Sequence, residues 1–170
     1  MRECFCPGYM QVDPEKINVF IWRAEMNRIA TTDALFKRNI DVGSLACELC
    51  GEGNESVEHL FTSCYFASML WSWLGRWCKC QPLVVFTFRD LLDIHKHVGL
   101  VGMKMEVIKG LVRIGCWAIW KMRNEARFKN KEVKLEYICG KVKNLGFLWF
   151  KTRNKGIETS WNDWCKFVNI

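Results

Sequence analysis

Apolar residues along this chain recur mostly at helical spacing, broken by short polar runs. From 15 to 29 the positions Ile17, Phe20, Ile21, Ala24 and Ile29 share a face, which predicts a first helix after an irregular start ending at Asp13-Pro14. Thr31 or Thr32 can cap a second, short helix over 33–39, because a hydroxyl there accepts an orphan backbone N–H. Asp41-Val42-Gly43-Ser44 reads as a turn, and Ser56 can cap a short helix carrying His59. The run 66–77, with Trp71, Trp73 and Trp77, predicts another helix. Residues 78–88 are the best boundary, with Pro82 inside and 83–88 suited to extended backbone. A short helix over 89–97 precedes Gly99 and Gly102. A long helix follows over 103–129, where Leu111, Gly115, Ala118, Met122 and Ala126 form a stripe widened by Ile108, Ile119 and Trp117. Asn130-Lys131 breaks it, and 132–150 reads as an amphipathic helix with Val133, Tyr137, Val142, Leu145 and Leu148 inside. Trp161 and Trp164 mark a last short helix, so the fold class is mainly α.

Half of the 170 residues are apolar, nine of them Trp and eleven Phe, which supplies a core and argues against disorder. The first residues contain no continuous apolar stretch of the secretory type, and no run reaches the roughly 18 residues a membrane span needs. The ten cysteines therefore read as thiols, free or on metal, in a reducing intracellular compartment, nuclear or cytoplasmic. The net charge of +7 is unevenly placed: 101–155 hold fourteen Lys/Arg against four Asp/Glu, and the remainder is net acidic. Glu48, Glu52, Glu55 and Glu58 crowd into 47–64, which has no base, so an anionic partner should prefer the C-terminal half.

The chemistry concentrates in eighteen residues: Cys47-x2-Cys50, eight residues, His59, four residues, Cys64. Three thiolates and one imidazole can close a tetrahedron around one Zn2+, and a filled shell points to a structural ion rather than a catalytic one. Gly51 and Gly53 give the corner permissive backbone. On an unbroken helix His59 and Cys64 would stand about 140° apart, so the helix must end or turn near Thr62-Ser63. The plainer reading is a group of buried thiols beside a surface histidine. The ligand order matches nucleocapsid knuckles, but eight residues between Cys50 and His59 do not fit their spacing of four.

These residues sit in a wider pattern: Val19-Phe20-Ile21-Trp22-Arg23, Asn27-Arg28-Ile29-Ala30-Thr31-Thr32-Asp33-Ala34-Leu35, Lys37-Arg38, Cys47-x2-Cys50-Gly51, Glu55-x2-Glu58-His59-Leu60-Phe61-x2-Cys64-x-Phe66-Ala67 and Trp71. That pattern resembles the reverse-transcriptase zinc-binding domain that follows the polymerase in plant non-LTR (LINE-type) retrotransposons. Trp117-x2-Trp120-Lys121-x-Arg123-Asn124-x3-Phe128 is similar to a segment often found after that domain. The resemblance covers about 14–77, weakening toward 130, and implies one structural Zn2+ on Cys47, Cys50, His59 and Cys64. It departs at Tyr65 and at Ile29-Ala30, where the family usually has proline. It divides the chain into an irregular 1–13, a zinc-binding helical domain at 14–80 and a basic long-helix region at 81–170.

The chain has no Asp-Asp pair, and its six Asp are scattered. A two-Mg2+ polymerase or ribonuclease H site is therefore not expected, and the reading is a non-enzyme whose parent activity would be RNA-directed DNA polymerase. Glu58 beside His59 would be the base of a rival metalloenzyme reading. The expected partners are RNA or DNA through 101–155 and the parent polymerase domain, with no membrane and no small-molecule substrate. Lys109, Arg113, Lys121, Arg123 and Arg127 are the candidate phosphate contacts, with Trp120 and Phe128 as stacking surfaces. The competing reading makes these a solvated helix surface over core aromatics, and the protein a structural or protein-interaction module. Cys4, Cys6, Cys78 and Cys80 could build a second thiolate site, and His95 and His97 read as solvated.

Overall fold

The computed structural model describes residues 14–81 and 83–170. The irregular start at 1–13, with Cys4 and Cys6, lies outside the described residues. Among the described residues seven α-helices follow in order: α1 (Pro14–Glu25), α2 (Thr32–Phe36), α3 (Tyr65–Trp77), α4 (Phe88–Asp93), α5 (Gly102–Lys129), α6 (Leu135–Arg153) and α7 (Trp161–Lys166). A π turn, His59–Ser63, precedes α3, and a 3-10 turn, Ile94–Lys96, extends α4. The protein is mainly helical, and the described residues contain no strand, only an isolated antiparallel bridge between Ala46 and Asn54.

Local chemistry sets the helix ends. Asn27 and Asn130 take positive φ of 52° and 47°, a conformation Asn tolerates better than most residues, and stop α1 and α5. The Asn27 turn is why α1 ends before the expected Ile29, which is still buried. The Thr31 hydroxyl caps α2 by accepting from Ala34 N. Thr87 and Asp90 exchange hydrogen bonds in a capping box at α4. The stretch at 83–87 carries no strand; Leu83 is buried and Phe88 opens α4.

The long helix α5 is the spine, with α1, α4 and α6 packed along it. Ile108, Leu111, Ala118, Ile119 and Met122 are buried, as its pattern predicted. Two glycines let bulky groups close in. A Cβ on Gly115 would stand 2.7 Å from the Trp71 ring, and one on Gly146 would stand 2.5 Å from Leu111 Cδ2. On α6 the expected Val142 and Leu145 are buried, but the rest of the stripe differs from expectation. Ile138, Cys139, Val142, Leu145 and Phe150 face inward, whereas Tyr137 and Leu148 are exposed. A glycine adds nothing to an apolar stripe, yet here it marks a close approach between helices. Trp164 of α7 completes the C-terminal core, its ring 5.5 Å from those of both Trp77 and Phe150. One apolar core runs from Ile17 to Phe167, across the boundary drawn at 80/81. No described helix is long and apolar enough to cross a membrane.

Candidate metal centre

The corner that carries Cys47 and Cys50 is pinned by backbone. Cys47 N donates to Gly53 O, Glu55 N to Leu45 O and Gly51 N to Cys47 O. Gly51 and Gly53 take φ of 75° and 65°, which side chains oppose, and a Cβ on Gly53 would stand 3.3 Å from His59 Nδ1. Opposite, Ser56 Oγ accepts from His59 N as the expected cap. The chain then winds through the π turn, where Cys64 N donates to His59 O at 2.7 Å. That i to i+5 closure solves the 140° problem: the wider turn brings Cys64 round to the side of His59, and the backbone then leaves extended. Trp71 Nε1 and Ser68 Oγ take up the carbonyls of Phe61 and Thr62.

The ligand atoms of Cys47, Cys50, His59 and Cys64 all lie within 4.8 Å of one another. Cys50 Sγ is 3.3 Å from His59 Nε2, and Cys47 Sγ is 3.9 Å from Cys64 Sγ. Zn–S bonds near 2.3 Å make a tetrahedral edge of ~3.8 Å, so the donor set fits a four-coordinate ion by size and type. His59 Nε2 faces the sulfurs while Nδ1 lies 3.4 Å from Ser63 Oγ, which orients the ring. Burial holds the His59 imidazole below its usual pKa, favouring the neutral form that ligates. Cys47 donates its S–H to Cys64 sulfur, which holds the Cys47 thiol well above the usual range and draws Cys64 down. Cys47 and Cys64 are buried; Cys50 and His59 are half-buried. Among the described residues this is the one such group, and Cys78 and Cys80 join none.

The acidic surroundings are mostly committed. Glu55 is fully buried and receives Arg123 Nε on both carboxylate oxygens, at 3.0 and 2.9 Å, and Thr32 N at 3.1 Å. Arg127 donates to Glu48 at 3.0 Å and to Val42 O at 3.2 Å. The Glu58 carboxylate accepts from Phe88 N at 2.7 Å, at the start of α4. Arg123 is 1% exposed, with the Trp120 ring 5.0 Å from its guanidinium carbon, so it offers no face to a phosphate. Trp120 is half-buried, its ring packed on Phe20 as well. Sequence reasoning missed these ties because they link residues 68 and 79 positions apart. The one signal was an acidic cluster facing a basic half.

The other expected contacts are more open. Lys121 sits 4.8 Å over the Trp117 ring, Lys109 pairs with Glu106 at 3.6 Å, and Arg113 donates to Asn18 Oδ1 at 2.7 Å. Phe128 is 73% exposed. His97 is exposed, but His95 is buried, its Nδ1 2.9 Å from Leu92 O, against the solvated reading.

Residues 5–71 match the profile of the family described as zinc-binding in reverse transcriptase. The match spans less than half of the chain and ends within α3. It contains all four candidate ligands and Glu55, but neither Arg123 nor Arg127. No curated protein and no solved structure matches the chain.

Proposed function

We propose that the protein is a non-catalytic zinc module of the reverse-transcriptase type, of plant LINE-type origin, holding one structural Zn2+ on Cys47, Cys50, His59 and Cys64. The observation that carries it is the gathering of these four donors, from a corner and a π turn, within 4.8 Å. Four protein ligands leave no position for substrate or water, so the ion ties chain to chain. Thiolate ligands suit a reducing intracellular compartment. Native mass spectrometry tests it: one zinc per chain, lost to chelator with a fall in far-UV helical signal. Metal-free protein with an unchanged fold would refute it.

The second part of the proposal is that the module steadies RNA or DNA beside a polymerase. Its support is the surplus of base over acid in 101–155 together with exposed Phe128 beside Lys129 and Lys131. With Arg123 and Arg127 engaged on the knuckle, the contacts would fall to Lys109, Arg113 and Lys121. Affinity for single-stranded RNA and DNA should fall steeply from about 50 to 200 mM salt. Undetectable binding at the lower salt would leave a structural or protein-interaction module.

A further inference from the structure

Glu55 occupies an unusual place for a carboxylate. It sits on the strand-like segment that closes the Cys47–Cys50 corner, its N–H donating across that corner to Leu45 O and its C=O accepting from Asp33 N of α2. Its side chain is fully enclosed. A charge there persists only if it is paired and hydrogen-bonded. Thr32 N supplies one donor, and the Arg123 fork supplies the remainder together with the compensating charge. Arg123 is itself 1% exposed and comes from the middle of α5, 68 residues downstream. Its Nη1 is held by Asn124 Oδ1 at 2.8 Å, which fixes the fork. Four residues on, Arg127 grips Glu48, which lies between Cys47 and Cys50. Two successive turns of α5 thus hold both sides of the ligand-bearing corner.

We infer that Arg123 is a positioning residue of the zinc site, and that the zinc-binding unit comprises the knuckle together with α5 rather than the matched segment 5–71 alone. The mechanism is electrostatic and geometric. Neutralised by Arg123, Glu55 stays inside and keeps the 45–47 and 53–55 backbones paired, which keeps the Cys47 and Cys50 sulfurs aimed at His59 and Cys64. Without Arg123, the Glu55 carboxylate must move toward water, and the corner moves with it. The inference rests on the zinc reading above.

The test compares full-length wild type, Arg123→Lys, Arg123→Met and the double variant Glu55→Gln with Arg123→Met. Zinc affinity is measured by competition with a chromophoric chelator, and Co2+ absorption reports the ligand field. Wild type should hold one zinc. Arg123→Met should bind zinc about 10–100-fold more weakly, the range seen when partners of metal ligands are lost. Arg123→Lys should keep its fold by circular dichroism yet also bind more weakly, because an ammonium cannot reproduce the fork. The double variant removes both charges and should recover most of the affinity lost in Arg123→Met. Recovery distinguishes a charge that must be neutralised from a side chain that merely fills space. If Arg123→Met binds zinc as tightly as wild type, or the double variant stays as weak as Arg123→Met, the inference fails while the zinc reading stands; where Arg123→Met does not fold, wild-type affinity in Arg123→Lys overturns it in the same way. If wild type itself binds no zinc, both fail.

Discussion

Between 41 and 64 the chain crosses itself with one isolated bridge, three positive-φ glycines and a π turn, whereas α5 and α6 run side by side through 28 and 19 residues of regular helix. The first region is held by directional groups: four candidate ligands, the Glu55–Arg123 fork, and backbone hydrogen bonds across a corner. The second is held by shape: Trp71 on Gly115, Leu111 on Gly146, and Trp164 among Trp77, Phe147 and Phe150. The difference shows where the acidic and basic halves of the chain spend their charge. Glu48 and Glu55 answer Arg127 and Arg123 within the molecule, so part of the apparent polyanion-binding surplus is an internal counter-charge.

The harshest way to break this comparison is to remove metal. Structural zinc contributes an apparent ~10 kcal/mol or more in small knuckles at neutral pH. Chelation should therefore strip hydrogen-exchange protection from the amides of Cys47, Gly51, Glu55 and Cys64. Amides in 107–119 and 138–150 should stay protected, because their packing needs no ion. Loss spreading evenly through α5 and α6 would mean that the two regions are one cooperative unit. The converse perturbation is Trp164→Ala, which empties a fully buried ring site. It should cost about 3–5 kcal/mol in denaturant unfolding, with one zinc still bound in native mass spectrometry.

The same contrast explains what the sequence disclosed. The ligand set was legible because Cys-x2-Cys, His and Cys lie within eighteen residues, and short-range spacing is what a single chain displays. The helix runs were legible for the same reason, down to the breaking of α5 at Asn130. Local pattern could say that the helix after His59 had to turn, but not that a π turn would do it. It placed Val142 and Leu145 inside α6 correctly but Tyr137 and Leu148 wrongly, because the contact at Gly146 depends on Leu111 and Trp164, which no periodicity within α6 reports. It offered Arg123 and Arg127 to phosphates, because nothing local marks a guanidinium whose carboxylate is 68 or 79 residues away.

Smaller changes sharpen the picture. Gly146→Ala drives a methyl group into Leu111 and should cost about 1–3 kcal/mol by overpacking, again without loss of zinc. Glu58→Gln keeps an oxygen that can accept from Phe88 N but removes the charge at the start of α4, and should cost about 1 kcal/mol. Unchanged zinc content in that variant would separate the cap from the ion; a protein emptied of zinc would place Glu58 among the groups that hold it.

Phe128→Ser should have the smallest effect on folding. The ring is 73% exposed, one residue before the end of α5, and stacks on no other ring among the described residues. Substitutions at such positions usually stay within about 0.5 kcal/mol, so the thermal midpoint should barely move. Binding is a separate matter. If bases stack there beside Lys129 and Lys131, losing the ring should weaken single-stranded RNA by roughly 1–3 kcal/mol, without changing the salt slope, because no charge has been removed. The double variant Lys109→Ala with Lys121→Ala should do the reverse, flattening the slope by about 1.4. A protein whose affinity ignores all three residues has no nucleic-acid face on this side of α5, and its exposed aromatic would then be available to a protein partner.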